Sequence, residues 1–197
     1  DANPDSFASP ATLAEVQAMI TAVNTAQANI LTQIGTEGDK PDAVNSVVTA
    51  AQLASLSGIT DVVAANEDAY QDYIDANPDS FASPATLAEV QAMITAVNTA
   101  QANILTQIGT EGDKPDAVNS VVTAAQLASL SGITDVVAAN EDAYQDYIDA
   151  NPDSFASPAT LAEVQAMITA VNTAQANILT QIGTEGDKPD AVNSVVT

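Results

Sequence analysis

The chain has 197 residues and a formal net charge of −23, with three basic side chains (Lys40, Lys114 and Lys188) against 26 acidic ones. Arg, His, Cys and Trp are all missing, which removes the nucleophilic triads and the usual ligands of zinc, haem and iron–sulfur centres. The charge opposes binding to a nucleic-acid backbone or an anionic membrane, because both need clustered positive side chains.

No phosphate-cradling or dinucleotide fingerprint occurs, and no apolar run approaches the roughly 20 residues of a membrane span. Neither catalysis nor membrane insertion is expected.

One unit of 74 residues is written end to end. Asp1 recurs as Asp75 and Asp149, and everything between recurs without substitution. The expected domains are 1–74, 75–148 and a partial copy, 149–197, whose last residue Thr197 matches Thr49 and Thr123. A fixed period of this length marks an array of stacked or strung units. The chain opens mid-phrase, since Asp75 follows directly on the helix-like run ending Tyr73-Ile74. It reads as a window from a longer repetitive protein, with targeting signals outside it.

Within one copy the first expected helix, A, runs about Pro84–Ile108. Ser83-Pro84 offers an N-cap and a first-turn proline, and Thr86 with Glu89 forms a capping box if the start lies one turn later. Leu87, Val90, Ile94, Val97, Gln101, Ile104 and Ile108 recur at alternating steps of three and four, a seam interrupted only by Gln101. Gly109 supplies a helix stop. A Gly/Pro-rich loop follows to Pro115, with a short turn through Val118. Thr123 and Gln126 then cap helix B, Ala124–Leu130, which Ser131-Gly132 breaks. Helix C is expected from about Asp135 to Ile148 with Thr134 as N-cap, and Asn151-Pro152 ends it. Phe155 is expected to plug the turn into the next copy.

Helix A and the interrupted pair B and C have matching lengths. The chain is therefore expected to be all-α, an αα-hairpin with a broken second arm at period 74, stacked into a solenoid-like rod or fibre. A string of three-helix bundles is the alternative. A 74-residue copy rich in Ala is marginal alone, so burial against a neighbour favours stacking.

The strongest candidate for chemistry is the acidic junction between copies. Asp72, Asp75, Asn77 and Asp79 recur as Asp146, Asp149, Asn151 and Asp153. Asp75-x-Asn77-x-Asp79 matches the opening of a Ca²⁺ loop, but Ser80 and Thr86 stand where that loop needs Gly and a bidentate Glu. No cofactor is expected, with Ca²⁺ the alternative to a solvated acidic turn. Gln101 and Asn140 each interrupt an apolar seam and are expected to bond each other if A packs on C, fixing register. Tyr144 and Tyr147 read as core aromatics with a wet hydroxyl.

The phrases Ala-Tyr-Gln-Asp-Tyr-Ile-Asp-Ala-Asn-Pro-Asp-Ser-Phe and Ser-Pro-Ala-Thr-Leu-Ala-Glu-Val-Gln-Ala-Met-Ile-Thr-Ala-Val-Asn resemble the helical tandem repeats of giant secreted bacterial surface proteins, adhesin-like or fibre-like. The resemblance implies an extracellular or cell-surface structural role and carries over no active residues. The expected function is a structural stalk, fibre or filament held by contacts between repeats, and a Ca²⁺-stiffened adhesin or binding module is the alternative. The expected partners are neighbouring repeats and other copies of the chain. Surface glycans are not readable from the residues.

Overall fold

The computed structural model describes residues 7–37, 47–112 and 120–186, and every regular element among them is helical. The long helix of each copy is α1 (Leu13–Glu37), α4 (Leu87–Gly112) and α7 (Leu161–Gly186). Between them lie α2 (Ala50–Ser55) and α3 (Glu67–Ala76), then α5 (Ala124–Ser129) and α6 (Glu141–Ala150). Single 3₁₀ turns lead into α3 and α6 at Ala64–Asn66 and Ala138–Asn140, and others follow at Pro78–Ser80 and Pro152–Ser154. Among the described residues no helix is long and apolar enough to cross a membrane.

The long helix begins later than Ser83-Pro84, whose peptide bond is cis. Thr86 and Glu89 form the cap instead. Thr86 N donates to Glu89 Oε2 at 2.8 Å, and Glu89 N donates to Thr86 Oγ1 at 3.3 Å. The same carboxylate oxygen accepts Ala82 N at 3.1 Å, so Glu89 satisfies the helix start and ties down the turn leading into it. Glu163 repeats the arrangement, and Glu15 holds the equivalent Thr12 N and Ala8 N on its two separate oxygens.

The helix also ends later than Ile108. Gly109 sits inside α4 and is no stop. A Cβ on it would lie 2.8 Å from Ala159 N and 3.0 Å from Ser157 Cα, and Gly35 meets Ala85 N and Ser83 Cα at the same distances. These glycines let the backbone of the incoming turn touch the helix. Ala85 N donates to Leu31 O at 3.0 Å, and Ala159 N to Leu105 O at 2.9 Å.

The short helix B forms as expected. Thr123 N donates to Gln126 Oε1 at 2.8 Å and Gln126 N to Thr123 Oγ1 at 3.2 Å, a reciprocal box. Helix C starts later than Asp135, because Asp135 adopts φ +60° and α6 begins only at Glu141. Thr134 is therefore not its N-cap. Asn151 closes α6, with its backbone N and its Nδ2 both donating to Tyr147 O, at 3.1 and 2.8 Å. The turn expected at Pro115 lies outside the described residues.

Two compact units divide the chain between Asn98 and Thr99, inside α4. The first unit's core joins Ile30 and Ile34 of α1, Leu53 and Leu56 around α2, and Tyr70 and Ile74 of α3. It is completed by Phe81 and Ala85 of the incoming turn and by Val90, Met93, Ile94 and Val97 of α4. The second unit repeats this set, from Ile104 and Ile108 through Val164, Met167, Ile168 and Val171 of α7. Helix α1 packs on α2 and α3, and α6 packs along α7. The broken arm is thus covered on one side by the long helix before it and on the other by the helix of the next copy. Phe81 and Phe155 plug the turns as expected, edge-on to Tyr73 and Tyr147 with ring centroids 6.4 Å apart.

Candidate functional site, the seam between successive copies

Each core holds apolar side chains from two copies, so the seam where the broken arm meets the next long helix is the place to look for specificity. Four side chains of α4, Val90, Met93, Ile94 and Val97, are 6% exposed or less. Burying each such side chain contributes roughly 1.5–3 kcal/mol. They share their helix with two amides, Gln91 and Asn98, which hold the arm's backbone.

Thr60 N donates to Gln91 Oε1 at 2.9 Å, and Gln91 Nε2 returns to Thr60 O at 3.3 Å. Asn98 Nδ2 donates to Asp61 O at 2.7 Å. Asp61 has φ +60°, a left-handed conformation that Asp tolerates better than most residues but still adopts at a cost. The amides from α4 compensate by satisfying the peptide groups this turn exposes. That capture explains why the third helix of the copy starts late: the segment before it is held extended by the neighbouring helix.

Asn98 Oδ1 also accepts two donors from the arm, Tyr70 Oη at 2.6 Å and Asn66 Nδ2 at 2.8 Å. The Tyr70 hydroxyl accepts Val63 N at 3.0 Å, and Tyr70 is fully buried. The second unit reproduces the whole network. Gln165 pairs with Thr134, and Asn172 bonds Asp135 O, Tyr144 Oη and Asn140 Nδ2. No buried side-chain polar atom among the described residues lacks a partner.

Two expectations change here. Asn140 bonds Asn172 of the following copy rather than Gln101. Gln101 instead clamps the break after α5, donating to Ser129 O at 2.7 Å and accepting Ser131 N at 3.0 Å. The Tyr144 hydroxyl is bonded inside the network rather than wet. The residues that sequence reasoning missed are Gln91 and Asn98 with their copies Gln165 and Asn172. Their signal was present: they lie one heptad apart on the helix and flank the apolar seam.

The arm's own polar groups serve its internal geometry. Glu67 Oε2 accepts Ala50 N at 2.8 Å, placing a carboxylate at the N-terminus of α2. Gln71 Nε2 donates to Val48 O at 3.1 Å. Glu141 and Gln145 do the same in the next copy.

The candidate metal residues are dispersed among such duties. Asp149 accepts Ser120 N through both carboxylate oxygens, at 3.1 and 3.0 Å. Asn77 and Asn151 spend their amide donors on Tyr73 O and Tyr147 O. Asp72, Asp79, Asp146 and Asp153 are exposed and Asp75 is half-buried. Among the described residues no three His, Cys, Asp or Glu side chains are grouped so as to hold a metal ion.

With this geometry in place, comparison with known proteins adds one finding. A family model described as the RtxA repeat matches residues 25–39, 99–113 and 173–187. Each copy contains one stretch similar to that repeat. This bears out the resemblance to repeats of large secreted bacterial proteins. No match was found among curated proteins or among solved structures. The second RtxA stretch starts at Thr99, where the second compact unit begins. The first two stretches contain Leu31 with Gly35 and Leu105 with Gly109, the surface on which the incoming turn packs. The chain has no adjacent glycines, so the glycine-rich nonapeptide by which RTX β-helices bind Ca²⁺ is not the motif matched here.

Proposed function

We propose that the chain is part of the extracellular repeat region of a secreted bacterial protein and acts as a structural spacer, a stalk or fibre held by contacts between its own repeats, without catalysis. The observation that carries this reading is the composition of each core. The arm comes from one copy and Val90, Met93, Ile94 and Val97, or their counterparts, from the next. Successive copies are then joined by buried surface as well as by the chain. Ten acidic residues and one Lys per copy suit a solvated surface that resists lateral association.

The test is a series of chains with two, three, four and six copies, measured by small-angle scattering and negative-stain imaging. The maximum dimension is expected to rise by one constant step per copy. A particle whose length saturates would overturn the proposal.

Calcium stiffening is the second reading, favoured by the density of carboxylates at residues 68–79. Against it stand the backbone bonds of Asp149 and Asn151. A rise in melting temperature at millimolar Ca²⁺ that Mg²⁺ does not reproduce would establish it.

A further inference from the structure

The basic residues of the chain share one context. Lys40, Lys114 and Lys188 are each followed by proline, Pro41, Pro115 and Pro189, and no Arg occurs among the 197 residues. A trypsin-like protease seats a Lys or Arg side chain in a pocket that carries Asp, and cleaves the bond that follows. In this sequence that bond always ends on a proline nitrogen. The ring replaces the N–H, fixes the backbone beyond the bond and restricts the residue before it. It therefore crowds the leaving-group side of the scissile bond, whatever the fold of the chain.

The side chains that a chymotrypsin-like apolar pocket selects are distributed differently. Every Phe, Tyr, Leu and Met lies among the described residues, and 1–6, 38–46, 113–119 and 187–197 contain none of them. Tyr70 and Tyr144 are fully buried, and Phe81 and Phe155 nearly so. Leu13, Leu87 and Leu179 are exposed but sit on α1, α4 and α7. There the helical hydrogen bonds must open before a protease can hold the backbone extended.

We infer that the repeat is closed to trypsin-like proteases in both its folded and its unfolded state, and admits chymotrypsin-like proteases only when a unit opens. The first property is written in the residues and the second in the packing. Identical copies inherit both, so lengthening the array adds no tryptic site. The inference goes beyond the spacer reading and does not need an extended particle. A failed length series leaves its test intact.

The experiment digests the intact 197-residue chain with trypsin and with chymotrypsin, in buffer and in urea that unfolds it, and follows the fragments by mass spectrometry. Trypsin activity in the same urea is verified on a Lys-containing reporter peptide. Trypsin is expected to leave the chain whole under both conditions. Chymotrypsin is expected to cut in urea after Tyr, Phe and Leu. In buffer it should be slower by on the order of 100-fold or more, because cleavage tracks the small population of opened units. Pro115→Ala, digested with trypsin in urea so that its folding is immaterial, is expected to show one new cut after Lys114. Three results would overturn the inference: tryptic cleavage of the parent chain after any Lys, a Pro115→Ala chain that stays whole, or chymotryptic cleavage equally fast in buffer and in urea.

Discussion

Tyr70 donates its hydroxyl hydrogen to Oδ1 of Asn98 at 2.6 Å, across the boundary between the first copy of the repeat and the second. The same hydroxyl accepts Val63 N, so one buried phenol joins the arm's irregular segment to the next copy's helix. Tyr70→Phe is expected to destabilise the first unit by about 1–3 kcal/mol, since it strands Val63 N and removes one of the two donors to Asn98 Oδ1. Combined with Asn98→Ala in a double-mutant cycle, the loss should be less than additive. Urea unfolding followed by hydrogen exchange of amides in the first unit reads both quantities.

Three identical glycines provide an internal control. Gly35 and Gly109 abut backbone atoms of the incoming turn, while a Cβ on Gly183 would meet nothing within 4 Å. Gly35→Ala and Gly109→Ala are expected to destabilise their own units by several kcal/mol, because backbone cannot swing aside. Gly183→Ala is expected to be neutral or to stabilise by up to about 1 kcal/mol through helix propensity. Thermal melts of the three single variants decide it, and equal effects at all three positions would refute the close-approach argument.

The capping carboxylates give a pH dependence of known sign. Hydrogen bonds from Thr86 N and then Ala82 N hold the Glu89 carboxyl below its ordinary range. Bonds from Thr160 N and Ala156 N do the same for Glu163, and bonds from Thr12 and Ala8 for Glu15. The unfolded chain therefore binds more protons than the folded one through this range. The contribution is complete above the unfolded carboxylate value, near ~4.3, and disappears as pH falls through the lower folded one. The triple variant Glu15→Gln, Glu89→Gln, Glu163→Gln retains an amide oxygen as acceptor but not the titration. The stability advantage of the parent chain should shrink between about pH 5 and pH 3 in urea titrations. Parallel profiles would contradict the assignment.

Much of the architecture was legible in the residues. The alternating steps of Leu87, Val90, Ile94 and Val97 gave helix A, the Thr123–Gln126 pair gave helix B, and the repeat itself gave an all-α array. Helix C was misplaced at its start for a physical reason: local pattern favours a helix from Asp135, yet Gln165 and Asn172 of the next copy capture residues 134–135 first. Gly109 carries a local stop signal, because glycine is favoured just past the end of a helix. Its role in packing depends on a turn 47 positions further along the chain, at Ala156, and no local window reveals that. Ser83-Pro84 misled similarly, since Thr86–Glu89 competes for the same helix start and wins through the added bond to Ala82 N.

The claim that one copy's arm is closed by the next copy's helix is tested most directly by two excised peptides, residues 1–74 and residues 25–98. They are cyclic permutations of one sequence and have identical composition. In 25–98 the stripe Val90–Val97 follows the arm, and every member of the first core is present. In 1–74 the same stripe, Val16–Val23, lies on the far half of α1, so Ile20 stands about 21 Å along the helix from Ile34. Dilute thermal unfolding followed by circular dichroism should show a cooperative transition for 25–98 and none of comparable midpoint for 1–74. Indistinguishable transitions for the two peptides would contradict the account.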